Sequence, residues 1–420
     1  MSNLSEAPRR STSRAARLGV GVVSVVTLGA LGAGCSSGDS SSAATSGSSL
    51  AGKAGAGSST SQPPAARVTI AADVPNGSRL GLAQPVTLEA QDAASSGARI
   101  TDVSVKDAKG KAAAGAYDAS RKAWIPDGVL DKNAAYVVTA TATTSDGRAT
   151  SASRKLVAAP NGSGTTGIYV VTPYKRIDVG NAQPVALTFS QAVPESMRAE
   201  VAKRFTVNDT KNVEGAWRWV SPTRLDYRPK DKWPVGDRIT VTGSIQSMRI
   251  GDTWGAGTLK DTGFDVTSDL EAVYDPATHR VTVTEGGKVI RVMKSGGGKQ
   301  GFGSLTGKMV VMGKERTVRM TSCSVGISCT PGAANYYDEQ INNAVQVSES
   351  GTYLHAAPWD GLIGRADTSH GCFHLSAADA AWFYDKVLPG NLFVSKGSNN
   401  PVTVENGLGD WNLSWQKWTS

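Results

Sequence analysis

Between Gly351 and Gly390 the chain reads GTYLHAAPWDGLIGRADTSHGCFHLSAADAAWFYDKVLPG. Twenty consecutive residues of it hold three of the four histidines, His355, His370 and His374, and one of the four cysteines, Cys372. A thiol titrates near 8.5, so only a few per cent is the nucleophilic anion at neutral pH unless a base or a cation stands beside it. His355 lies 17 residues upstream of Cys372, enough chain to leave a strand, cross a loop and return alongside as that base. Gly371, between His370 and Cys372, lets the backbone turn tightly and present the amides of Gly371 and Cys372 to an oxyanion. A cysteine, a base and exposed amides are the parts of an acyl-transfer site. The same residues would also make a His/Cys zinc set of His355, His370, Cys372 and His374. Gly371 and the coming helix argue against a regular strand that would align them, and no pattern of supporting carboxylates is evident, so no metal is expected.

These side chains need elements to hold them. SAADAAWFYDKVLPG reads as a helix, with Ser376 as N-cap, Asp379 three residues later, Lys386 in the last turn and Pro389-Gly390 as a stop. Cys372 is then expected on a turn between a strand and that helix, close enough to its positive end for a modest pull toward thiolate. Upstream, EAVYDPATHRVTVTEGGKVIRVMKSG reads as two strands joined around Gly286-Gly287, and KMVVMG and RTVRMTS read as further strands. Cys323 and Cys329, with five residues between them in TSCSVGISCTP, can close a disulfide in an exported protein. That would leave Cys372 as a free thiol.

Two β-modules precede this region. From Arg67 to Pro160, runs such as RVTIAADV, PVTLEAQD and AYVVTATATT alternate between Gly, Asn, Asp and Pro turns at the spacing of sandwich strands. AQPVTLEA at Ala83 returns as AQPVALTF at Ala182, an offset of 99 residues, and the two modules repeat at one small domain's length. The reading is mainly β: immunoglobulin-like sandwiches over 67–160 and 161–268, a β-rich domain with one main helix over 269–396, and a Trp-rich tail over 397–420. Trp124, Trp217, Trp219 and Trp233 are expected in cores or between domains rather than as ligand platforms.

The N-terminus carries four arginines, then the uncharged LGVGVVSVVTLGALGA from Leu18 to Ala33, too short for an ordinary membrane span. Ala33 and Gly34 before Cys35 resemble a bacterial lipoprotein box, which implies a signal peptide over 1–34, lipidation at Cys35 and an exported protein anchored to the membrane facing the wall. Residues 35–66 are mostly Ser, Gly, Ala and Pro with too little to fill a core, the composition of a flexible tether. Formal charge is +8 at pH 7, with 44 Lys+Arg and 36 Asp+Glu. Without Arg9, Arg10, Arg14, Arg17 and Glu6 of the signal it is +5, and no basic run of a nucleic-acid binder is present.

SHGC with an upstream histidine in YLHAAPW resembles the L,D-transpeptidase catalytic domain of the YkuD type, from about Leu270 to the C-terminus. GLGDWNLSWQKW resembles the Trp-rich tail of the multi-domain, wall-anchored branch, in which the tail packs back on the catalytic domain and two immunoglobulin-like domains come first. The resemblance implies peptidoglycan stem peptides as donor and acceptor, no cofactor and inhibition by carbapenems. Cys372 would attack the carbonyl between the diamino acid and D-Ala of a tetrapeptide stem, release D-Ala, and pass the thioester to an amine of a neighbouring stem as a 3→3 cross-link. It further implies His355 as general base, His370 as an orienting residue, and Tyr337, Ser350, Gly351, His374, Met320 and Trp359 around the substrate. The chain departs from the family pattern at His374, usually Asn or Arg, and at Ala356, often Ser. An L,D-carboxypeptidase-type hydrolase working through the same acyl-enzyme, and a non-catalytic wall-binding protein, are the alternatives.

Overall fold

The computed structural model describes residues 67–70, 77, 79–91, 97–158, 165–173, 175–397 and 399–420. The signal segment, Cys35 and the tether lie outside the described residues.

Period-2 patterning becomes two sandwiches. In the first, the sheet of Arg67–Ile70, Val86–Gln91, Ala123–Pro126 and Gly115–Asp118 faces the sheet of Arg79–Leu80, Ala149–Ala158, Ala135–Thr143 and Arg99–Asp107. Tyr136, Val138, Ala140 and Ala142 alternate inward along one strand and join Leu88, Trp124 and Leu156 in the core. The second sandwich closes on Leu187, Trp233 and Phe264. The repeated Ala-Gln-Pro sits alike in both: Ala83 and Ala182 are fully buried, each just before a core strand, Val86–Gln91 or Val185–Phe189. Trp124 and Trp233 are core residues, and Trp217 and Trp219 pack partly buried against the second core. A short helix, Glu195–Ala202, links two strands of this module, which strand periodicity did not anticipate.

From Glu271 onward the chain builds a nine-stranded sheet. Its order is Gly307–Val310, Leu392–Ser395, Glu271–Asp275, Arg280–Glu285, Lys288–Gly296, Phe373–Leu375, Tyr353–Ala356, Asp338–Gln346 and Gly313–Thr321. Glu285 pairs with Lys288 across Gly286-Gly287, whose φ of +57° and +73° suit the tight hairpin turn. The helix Ala377–Lys386 follows, with the Ser376 hydroxyl accepting from the Asp379 N–H at 3.1 Å. Its Ala380 and Phe383 cover Leu354, Phe373 and Leu375 of the two central parallel strands.

The tail corrects one expectation. Rather than packing on the catalytic domain alone, its tryptophans dock on the second sandwich. The buried Arg228 guanidinium lies 4.8 Å from the ring centres of Trp411 and Trp418 and 5.4 Å from Trp415. The indoles of Trp411 and Trp418 donate to the carbonyls of Ala182 and Ala216 at 2.8 and 2.9 Å. The tail also reaches the nine-stranded domain, through Leu408 packed with Val310 and Leu392, and through Asn412 bonded to Lys308 and Asn406 to Ser350. Indoles need both an apolar surface and a carbonyl, and the sandwich edge offers the two together.

Candidate active site

The strands Tyr353–Ala356 and Phe373–Leu375 run parallel with Leu354 opposite Phe373, His355 opposite His374 and Ala356 opposite Leu375. Alternation turns Leu354 and Phe373 into the core and His355 and His374 to the opposite face, where Cys372, two residues before His374, also lies. Cys372 therefore leads into a strand rather than sitting on a turn into the helix. As Gly371 and the coming helix led one to expect, no regular strand aligns the group: the strand is limited to Phe373–Leu375, and His370 and Cys372 stand before it. His370 leaves the group, so the four-residue zinc set is not assembled, and among the described residues no three His, Cys, Asp or Glu side chains are placed to hold a metal ion.

One cavity of about 560 Å³ is lined by Cys372, His355, His370, Gly371, His374, Tyr337, Ser350, Gly351, Met320 and Trp359. His355 is buried, and its Nδ1 is 3.0 Å from the carbonyl oxygen of Ala356. A carbonyl can only accept, so Nδ1 carries the proton and Nε2 is left as the basic nitrogen. Burial, then the neighbouring His374, lowers the His355 pKa to about 4 despite that bond, so the ring is neutral at pH 7. Burial raises Cys372 to about 11, against a weaker opposing pull from the Tyr353 N–H. Its thiol points at the Gly351 carbonyl oxygen, 3.7 Å away. The resting site is thus a neutral thiol and a neutral imidazole rather than an ion pair. Attack requires the proton to leave sulfur as the new bond forms, the work of a general base.

Gly371 adopts φ +127°, a region closed to most side chains, while a Cβ there would meet nothing nearer than 3.8 Å. Backbone conformation and not crowding requires the glycine. Its N–H donates to Ser369 Oγ at 3.0 Å, and that hydroxyl donates to the Cys372 carbonyl at 2.6 Å. The expected pair of oxyanion amides is therefore reduced to the Cys372 N–H, because Ser369 takes the other.

The comparisons with known proteins agree with this geometry. Residues 89–249 match the bacterial Ig domain, and residues 270–404 match the L,D-transpeptidase catalytic domain. L,D-transpeptidase 2 of Mycobacterium tuberculosis is 29% identical over 336 residues, which is 80% of this chain and 79% of that protein. L,D-transpeptidase 1 of the same species is 32% identical over 226 residues, 54% of this chain and 83% of that protein. The chain belongs to the L,D-transpeptidase family. A solved structure of the L,D-transpeptidase LdtMt1 in complex with imipenem covers 55% of this chain and 99% of its own, at 31% identity and a TM-score of 0.47.

The two departures of this L,D-transpeptidase from the family pattern have structural answers. Ala356 lacks the hydroxyl of a serine, but the contact it makes to His355 uses its carbonyl, which every residue has. His374 is held by Asp360, a residue the sequence reading missed. Nδ1 of His374 lies 2.7 Å from Asp360 Oδ2, which also accepts from the Thr368 hydroxyl at 2.5 Å, while Oδ1 accepts from the Leu362 N–H at 2.9 Å. Burial works against the Asp360 carboxylate, yet these donors, Thr368 first, bring its pKa below the usual range. Trp359-Asp360 in APWDG was the available signal. It went unused because a loop aspartate acquires meaning only when its histidine partner folds beside it.

His370 is fixed elsewhere. Its Nε2 lies 3.1 Å from Lys299 Nζ and 3.2 Å from Asn335 Oδ1, and its ring centre is 4.9 Å from Phe302 and 5.2 Å from Tyr337. The ammonium can only donate, so Nε2 accepts from it; burial, then the Lys299 charge, lowers the His370 pKa. Tyr337 is pushed up to about 12 by burial and by the charges of Cys372 and Glu339, so it remains a phenol able to donate. Ser350 is positioned by the tail, its N–H and hydroxyl each 2.9 Å from the Asn406 amide. Cys323 and Cys329 are joined in a disulfide, and the loop it closes sends Val325 and Ile327 to the cavity wall. Cys372 is the free cysteine among the described residues.

Proposed function

We propose that this L,D-transpeptidase forms 3→3 cross-links in peptidoglycan through a thioester on Cys372. His355 Nε2 takes the thiol proton as sulfur attacks the carbonyl joining the diamino acid to D-Ala. The same proton then leaves with the D-Ala amine, so bonds and charge balance at each half-reaction. The Cys372 N–H receives the developing oxyanion. A side-chain amine of a second stem resolves the thioester and gives its proton to His355, which passes it to the departing Cys372 sulfur and restores the resting thiol. The observation that carries this reading is the His355 ring, locked by Ala356 into the tautomer whose free nitrogen serves the cavity that holds Cys372.

The substrate-binding roles of Tyr337, Ser350, Gly351, His374, Met320 and Trp359 belong to the same proposal, as does capture of carbapenems by Cys372, supported by the imipenem complex of a related enzyme. Lipidation of Cys35, export and anchoring to the membrane facing the cell wall are proposed from the N-terminal sequence alone. The test is incubation with a disaccharide-tetrapeptide followed by mass spectrometry. Cross-linked dimer with release of one D-Ala is the expected result. Trimmed tripeptide without dimer overturns transpeptidation in favour of the hydrolase, and unchanged substrate overturns both.

A further inference from the structure

Strand alternation decides which residues near Asp338–Gln346 face the catalytic cavity. Tyr337, Glu339 and Ile341, two residues apart, all line it, and Met320, the partner of Glu339 on the adjacent strand, lines it beside them. Asp338 lies on the other face and holds Arg319 with two hydrogen bonds of 2.7 and 2.6 Å. Arg319 is thereby committed away from the cavity. Glu339 has no ion-pair or side-chain hydrogen-bond partner among the described residues. It is also the cavity's sole carboxylate, and no lysine or arginine lines the same space. Its neighbours in that wall are apolar: Met320, Val325, Ile327 and Ile341.

Glu339 is exposed at the cavity, so its carboxylate is open to a cation that the protein itself does not supply. We propose that Glu339 is a specificity-determining residue that receives the side-chain ammonium of the diamino acid in the donor stem. This rests on the acyl-donor reading above. Tyr337, two residues before Glu339, lines the same cavity as Cys372 and Glu339. Alternate strand residues stand about 7 Å apart. The side chain of a diamino acid spans a comparable distance from the carbon bearing the scissile carbonyl to its amine. The acceptor amine is a poorer match, because it must be deprotonated to attack a thioester and a nearby carboxylate favours its charged form.

The test measures D-Ala release from two disaccharide-tetrapeptides, one with a free side-chain amine and one N-acetylated there, by the wild type, Glu339→Gln and Glu339→Lys. The wild type is expected to prefer the free amine by about five- to twentyfold in kcat/KM, mainly through KM. Glu339→Gln should shrink that preference to about twofold or less, and Glu339→Lys should reverse it, with circular dichroism confirming that both variants fold. Equal use of the two donors by the wild type, or an undiminished preference in Glu339→Gln, overturns the inference while leaving the transpeptidase reading standing. A loss confined to dimer formation, with D-Ala release unchanged, overturns it by placing the carboxylate on the acceptor side. No release from either donor by the wild type overturns the acyl-donor reading and this inference with it.

Discussion

His374 stands directly across from His355 on the neighbouring parallel strand, with ring centres 5.1 Å apart and planes at 64°. Asp360 fixes the outer ring and the Ala356 carbonyl fixes the inner one. The residue two places after Cys372 is thus an electrostatic neighbour of His355 as well as part of the cavity wall.

That pairing governs the acid side of the pH profile. Protonating His355 removes the base, so kcat/KM for D-Ala release should fall with an apparent midpoint at about 4, well below that of an ordinary histidine. His374 contributes to the lowering, so His374→Asn should move the midpoint upward. A limb near 6.5 in the wild type, or identical limbs in the two proteins, would contradict this electrostatic coupling.

Cys372→Ala should abolish D-Ala release, by at least about a thousandfold, with little change in the unfolding midpoint, since the thiol's polar contacts are a long bond to the Gly351 carbonyl and the weak pull of the Tyr353 N–H. Turnover within threefold of wild type, roughly, would sink the cysteine mechanism.

A carbapenem should add one mass to Cys372 and leave Cys323 and Cys329 joined in the absence of reductant. Peptide mapping of the adduct checks this, and a label on either disulfide cysteine would count against it.

Asp410 of the tail is fully buried beside the fully buried Asp226. Burial, then the Asp226 charge, holds its carboxyl well above the usual range, although Arg224 pulls the other way. A carboxyl whose pKa is raised on folding costs stability once the pH passes its unfolded value near 3.9, the loss continuing up to the folded value. Asp410→Asn should therefore stabilise the docked tail at neutral pH, and the gain should vanish below the unfolded pKa. Urea unfolding at pH 7 and at pH 3.5 measures both, and a destabilised variant at pH 7 would show that the ionised carboxylate is favourable.

Gly371→Ala forces a side chain onto φ +127° with room to spare around it. The expected cost is about 1–3 kcal/mol of backbone strain. It should appear as a slower acylation of Cys372 rather than a weaker KM, because the displaced atoms carry the Cys372 N–H. Single-turnover acylation rates decide the point.

The order of modules, the Gly286-Gly287 hairpin, the Ser376-capped helix and the grouping of His355, His370, Cys372 and His374 at one cavity were all legible in the sequence, because each rests on a local rule: strand alternation, turn conformation, capping, or close spacing within one short segment. What tertiary structure decided were relations between distant residues. Asp360 gains its role only when a strand brings His374 to it, and Glu339 becomes a lone carboxylate only when Asp338 on the opposite face has taken Arg319. The tail's choice of partner depends on Arg228, 183 residues before Trp411, which no local pattern connects. Burial likewise inverted the expectation for the nucleophile: helix and histidines favour a thiolate in the sequence, but removing water from the site costs the charged form more, and the cysteine rests as a neutral thiol.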